Sequence, residues 1–257
     1  MQPHIVMTKK LDAWLTYRHP NSQTRLRLFC FPYAGGGTSV FGNWSNLLPA
    51  QIEVCPIQLP GRETRINEAP FKRLSCLVEE LADVLLPVFD LPFAFFGHSM
   101  GALISFELTR RLRQRHLPLP SRLFVSGSGA PQLSDPKPPI HQLPREEFIA
   151  AVRRFNGTPE EVWEQEELVE ILLPHLRADF EICETYVYQS ASPLSIPITV
   201  YGGRQDQKIK LEWLDAWCEQ TTRTCILHMF PGDHFFLHSS RKQLLMTLSQ
   251  ELQPILG

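Results

Sequence analysis

Six short apolar runs recur along the chain with amphipathic or polar stretches between them, and that alternation limits the folds open to it. They are Arg27-Leu28-Phe29-Cys30-Phe31, Glu53-Val54-Cys55-Pro56-Ile57, Phe93–Phe96, Leu123-Phe124-Val125-Ser126, Ile196–Tyr201 and Cys225–Phe230. Each has strand length, and near-continuous apolar character is the pattern of strands covered on both faces. Between the second and third runs, Leu74, Leu77, Val78, Leu81, Val84, Leu85 and Val88 recur every three to four residues, which predicts a helix near 71–89. Helices are also expected near 41–48, 100–115 and 240–255. Strands alternating with helices predict an α/β fold: a mainly parallel central sheet with helices on both faces. A chain of 257 residues, 43% hydrophobic, can build that core as one domain over 1–257.

One stretch breaks the alternation. Residues 131–192 open with a loop carrying Pro131, Pro136, Pro138 and Pro139, then read as two or three helices without a strand. Phe148, Val152 and Phe155 make one apolar face, and Leu168, Ile171, Leu172 and Leu176 make another. A helical insertion at this point is a candidate lid, which would wall an apolar pocket and restrict water.

Net charge is −2, so no global field favours nucleic acid or an anionic membrane. No segment approaches the length of a membrane span, and no secretory leader is legible. The six cysteines (30, 55, 76, 183, 218 and 225) show no C-x-x-C spacing. Reduced, mostly buried thiols and a cytoplasmic location are the expectation.

The chemistry centres on Gly97-His98-Ser99-Met100-Gly101, which follows the third apolar run and precedes a helical pattern. In that setting the serine sits on a sharp strand-to-helix turn that exposes its hydroxyl above the sheet, so Ser99 is the candidate nucleophile. A glycine-rich turn capped by serine is the plainer alternative. A serine needs a base, and the base needs a carboxylate, on loops after later strands. His234 follows the sixth run in Phe230-Pro231-Gly232-Asp233-His234, and Asp206 follows the fifth in Gly202-Gly203-Arg204-Gln205-Asp206. Asp215 and Asp233 are the rival acids. His98 is expected to point away from the site. Two backbone N–H groups should hold the oxyanion: that of Met100 after the nucleophile, and that of Ala34 in Phe31-Pro32-Tyr33-Ala34-Gly35-Gly36-Gly37. That loop lacks the pattern of a phosphate-binding P-loop.

Four blocks together resemble the type II thioesterases, stand-alone α/β-hydrolases that accompany non-ribosomal peptide and polyketide synthetases. They are Phe31–Gly36, Gln58-Leu-Pro-Gly-Arg-Glu63, Gly97–Gly101 and Phe230–Phe236. Leu143–Phe148, Asn156–Glu160 and Leu176–Phe180 are similar to that family's lid region. Asp233 departs from it, standing where the family often has a second glycine.

The resemblance implies an α/β-hydrolase fold and hydrolysis of acyl groups held as thioesters on the phosphopantetheine arm of acyl or peptidyl carrier proteins. Stalled or incorrect acyl units would be removed, with no metal and no cofactor beyond the arm itself. Because carrier proteins are generally acidic, Arg62 and Arg65 are candidate docking residues, as are Arg110, Arg111, Arg113 and Arg115. A monomer is expected. A carboxylesterase or lipase, or a product-releasing thioesterase, would use the same triad; an inactive α/β-hydrolase scaffold is the non-enzymatic alternative.

Overall fold

All six apolar runs become strands of one parallel sheet: β1 (Leu26–Phe31), β2 (Ile52–Pro56), β3 (Phe93–His98), β4 (Arg122–Ser126), β5 (Ile198–Gly203) and β6 (Cys225–Phe230). The computed structural model describes residues 10–18, 21–133, 138–155 and 157–256. The strand order is β2-β1-β3-β4-β5-β6. Helices α1 (Leu74–Leu85), α2 (Met100–Gln114), α3 (Arg145–Arg153), α4 (Glu160–Trp163), α5 (Glu166–Glu184), α6 (Leu211–Asp215), α7 (Phe236–Ser239) and α8 (Arg241–Leu256) connect and cover them.

Period-two alternation sorts each strand between two cores. Phe29, Phe31 and Phe95 face the side packed by Leu81 of α1 and Ile104, Phe106 and Leu108 of α2. Leu28, Cys30, Phe96 and Phe124 face the other side with Leu244, Leu248 and Leu252 of α8. Helices on both faces are what the continuous apolar strands require.

Order in the sheet reverses between β1 and β3, and such a switch point opens a crevice beyond the carboxyl ends of the strands. Register fixes what gathers there. Phe31 lies opposite Gly97, His98 opposite Ser126, Ser126 opposite Tyr201, and Gly203 opposite Phe230. The loops after β1, β3, β5 and β6 therefore emerge on one edge.

Among the described residues, the regular structure of the insertion between β4 and β5 is helical. Its three helices build their own small core from Phe148, Val152, Val169, Leu173 and Leu176. No described helix is long and apolar enough to cross a membrane.

Three local readings change. The expected helix near 41–48 is instead a 3-10 turn over Thr38–Phe41 followed by further turns. Strand β5 begins two residues late, after Pro197, whose ring nitrogen has no hydrogen to donate. Cys218 and Cys225 form a disulfide, contrary to the expectation of reduced thiols. The turn between them brings the two Cα atoms to 5.3 Å, a proximity that spacing alone did not reveal.

Candidate active site

Ser99 occupies the junction of β3 and α2 with φ 54° and ψ −115°. A non-glycine residue there carries strain of about 1–3 kcal/mol, which persists only when flanking structure enforces it. The enforcement is visible. Ser99 N–H donates to Ser126 O at 2.8 Å, and its own carbonyl accepts from Ala102 N–H at 3.0 Å, starting α2. Gly97 and Gly101 bracket the serine because neither site has room for a Cβ: at Gly97 it would lie 2.5 Å from Ala102 N.

The loop after β6 delivers His234, 8% exposed, to the same edge. Its Nδ1 lies 2.8 Å from Asp206 Oδ2, and the other carboxylate oxygen accepts Lys208 N–H at 2.9 Å. Burial disfavours the Asp206 carboxylate, but hydrogen bonds from His234 and from the backbone of Lys208 and Ile209 outweigh it and hold its pKa below the ordinary value. An ionised Asp206 takes the proton-bearing Nδ1 and leaves Nε2 of His234 to accept. Among the described residues no hydrogen bond joins Ser99 Oγ to His234, but both line one cavity of about 730 Å³. Such bonds often tighten only when substrate arrives.

His98 lines neither of the two cavities that Ser99 and His234 line, and packs under the His234 ring instead. It ends β3 fully buried, with Nδ1 2.9 Å from Ser126 Oγ and its ring centroid 5.3 Å from that of His234. Burial, then the neighbouring His234, push its pKa well below the usual histidine value, so it packs as a neutral ring beneath the base. Asp233 is spent locally: its carboxylate accepts Phe235 N–H at 2.9 Å and shapes the His234 turn.

Ala34 and Met100 were the expected oxyanion donors, and the backbone hydrogen bonds around them bear on that expectation. In the loop after β1, Gly35 N–H is taken by Asp179 Oδ2 at 2.7 Å and Gly36 N–H by Tyr33 O at 2.9 Å. Thr38 and Ser39 donate to the Glu63 carboxylate at 3.0 and 3.1 Å. Ala34 N–H has no acceptor among the described residues, and Ala34 lines the cavity beside Ser99. Met100 heads α2, where the first N–H groups have no intrahelical partner.

The insertion lines the cavity with Val152, Phe155, Leu176 and Phe180, and Val187 and Phe235 extend the apolar lining.

The arginines expected to meet an acidic partner are engaged internally. Arg62 is buried, its guanidinium forking onto Asp179 at 2.7 and 2.8 Å. Arg65 lies over the Trp14 ring and pairs with Glu68 at 2.6 Å. Arg110 is buried against Glu107, Arg111 pairs with Glu79 and Arg115 with Asp83, and Arg113 donates to the carbonyls of Ser192 and Pro193. Asp179, a fully buried carboxylate bridging lid and loop, was invisible to sequence reasoning: its partner Arg62 lies 117 residues away.

A strained serine above a parallel sheet, with Asp206 and then His234 following it along the chain, defines a serine hydrolase of the α/β-hydrolase fold. The Thioesterase domain family matches residues 26–252. The chain belongs to the thioesterase family, and the enzyme is a hydrolase acting on thioesters. It is 48% identical over 253 residues to gramicidin S biosynthesis protein GrsT of Aneurinibacillus migulanus, covering 98% of this chain and 99% of the relative. The solved structure of the RedJ thioesterase from the prodiginine biosynthetic pathway in Streptomyces coelicolor superposes with TM-score 0.85 at 38% identity, over 91% of this chain and 94% of that one. The type II thioesterase BorB from the borrelidin biosynthetic cluster gives TM-score 0.81 at 32% identity, over 92% and 94%.

Proposed function

We propose that this thioesterase removes stalled or incorrect acyl groups from the phosphopantetheine arms of acyl and peptidyl carrier proteins in a peptide or polyketide synthetase. It would act as a cytoplasmic monomer with no cofactor of its own. The observation that carries the reading is the conjunction of Ser99, the Asp206–His234 pair and a free Ala34 N–H on one apolar cavity, in a chain whose relatives are thioesterases of such pathways.

In this reading Ser99 Oγ attacks the thioester carbonyl while its proton passes to Nε2 of His234. The carbonyl oxygen becomes an oxyanion between the N–H groups of Ala34 and Met100. Collapse breaks the carbon–sulfur bond, and the imidazolium returns its proton to the departing thiolate, restoring the carrier's free thiol. Water then enters, His234 takes its proton, and the acyl-serine breaks to release the carboxylic acid and regenerate Ser99. Asp206 stays ionised and offsets the imidazolium charge in both halves. An apolar pocket separates substrates that differ by one methylene by only about 1–3 kcal/mol, which suits an enzyme that must accept many wrong acyl groups.

The test compares hydrolysis of an acyl-phosphopantetheinyl carrier protein with that of a p-nitrophenyl ester, wild type beside Ser99→Ala. Preference for the carrier, lost in Ser99→Ala, supports the proposal. Cleavage of the ester alone makes the protein an esterase on the same frame, and inertness to both favours a binding scaffold.

A further inference from the structure

We propose that Asp179, on lid helix α5, is a positioning residue that holds the oxyanion loop in its working shape, so that the lid completes the active site. The inference rests on the assignment of Ala34 N–H as an oxyanion donor.

Residues 32–37 connect β1 to a 3-10 turn and have no regular structure to fix them. Among the described residues only the Gly35 and Gly36 amides of this loop find an acceptor, and the tie nearest Ala34 on its C-terminal side comes from the lid, at Gly35. Asp179 is 1% exposed. One of its oxygens accepts both Gly35 N–H at 2.7 Å and Arg62 Nη1 at 2.8 Å; the other accepts Arg62 Nη2 at 2.7 Å. Arg62 Nη1 also donates to Gly36 O at 3.0 Å. A single buried carboxylate therefore joins three segments: the lid, the loop after β2 and the oxyanion loop.

A second contact points the same way. Gly35 has φ +79°, and a Cβ there would lie 2.5 Å from Leu176 Cδ2. Leu176 and Asp179 stand three residues apart on α5, hence on one face, and both bear on Gly35. The same helix packs into the lid core through Val169, Leu173 and Leu176, so it moves with the lid as a unit.

A charged group is well suited to this place. Two parallel N–H···O bonds from a guanidinium fix a carboxylate in orientation as well as position, which neutral packing does not do. The fixed carboxylate in turn fixes the Gly35 peptide, and with it the direction of the neighbouring Ala34 amide. With α5 displaced, Gly35 N–H loses its acceptor and Ala34 N–H is no longer aimed at the site beside Ser99. Acyl transfer then belongs to the lid-closed form alone.

The test uses Asp179→Leu, which removes the acceptor, and Asp179→Asn, which keeps one. Activity is followed on an acyl-pantetheine thioester, together with the affinity of a trifluoromethyl ketone whose hemiketal oxygen would occupy the oxyanion hole. For Asp179→Leu, kcat falls about 10- to 100-fold, short of the 10²–10³ expected for losing a donor outright. KM stays within about twofold, because ground-state binding is not what an oxyanion hole supplies. Affinity for the ketone falls in step with kcat, and Asp179→Asn recovers most of both. A lower melting temperature with kcat and ketone affinity unchanged, or a rise in KM alone, overturns the proposal. Should Asp179→Leu fail to fold, Arg62→Gln makes the same test by leaving the carboxylate without its fork. Thioester hydrolysis surviving in Ser99→Ala would overturn the catalytic assignment itself, a different failure.

Discussion

Gly101→Ala sets two physical effects against each other with opposite signs. Gly101 lies in the first turn of α2, where alanine should stabilise a helix by close to 1 kcal/mol over glycine. Its Cα, however, presses on the end of β1. A Cβ would lie 2.6 Å from the Phe31 carbonyl carbon and 2.8 Å from Pro32 O, where ordinary contact begins at 3.4 Å. The Phe31 carbonyl oxygen would be nearer still, and all three atoms are backbone, which has no rotamer to yield. Overpacking of that kind costs about 1–3 kcal/mol, which overrides the helix gain. For a chain of this size each kcal/mol lowers Tm by about 2–4 °C. Function should suffer more than stability, because the contact joins the segments that carry the two proposed oxyanion donors, Met100 on α2 and Ala34 after β1. Spreading them by most of an ångström should lower kcat roughly 10²-fold. Thermal unfolding and steady-state hydrolysis of an acyl-pantetheine thioester read both quantities. A variant with Tm unchanged or raised and kcat within twofold of wild type would refute the reasoning.

Asp206→Asn should leave the fold intact and lower kcat by roughly 10³–10⁴, because an amide can present N–H to Nδ1 and favour the wrong tautomer; single-turnover acylation checks it. Stability should fall on acidification. Burial opposes ionisation of Asp206 and of Glu63, but hydrogen bonds, from His234 and the Lys208 and Ile209 backbone to the first and from Thr38 and Ser39 to the second, hold both pKa values below their ordinary ones. Their contribution is complete above the unfolded carboxylate range of about 4 and is lost as pH drops through the lowered folded values; urea midpoints against pH should decline there, less steeply in Glu63→Gln. Phe148→Ala removes a fully buried ring that meets Phe180 edge-on and lies under Arg177. It should cost about 3–5 kcal/mol, felt mainly in the lid, and limited proteolysis should cut within 138–184 before the sheet unfolds.

What was legible in the sequence was whatever depends on local pattern. Strands buried on both faces announce themselves as unbroken apolar runs, and α1 by its three- to four-residue spacing. The elbow and the Asp206–His234 order were legible because the fold brings loops after successive strands to one edge, so position along the chain stands in for position in space. Long-range pairing had no such proxy. Arg62 and Arg65 read as free cations because nothing local reports Asp179 or the Trp14 ring. The Cys218–Cys225 bond depends on a turn, and the neutral state of His98 on burial beneath a loop 136 residues later, and neither follows from composition.

The central claim is that Ser99 carries the acyl group between a carrier thiol and water. Mass spectrometry of the intact protein, quenched during turnover of an acyl-loaded carrier protein, tests it directly. One acyl mass is expected on the wild type, mapping to the peptide that contains Ser99 and absent from Ser99→Ala, with free carrier thiol released in step. Release of free thiol at the wild-type rate by Ser99→Ala, or an acyl mass on any other residue, would contradict it.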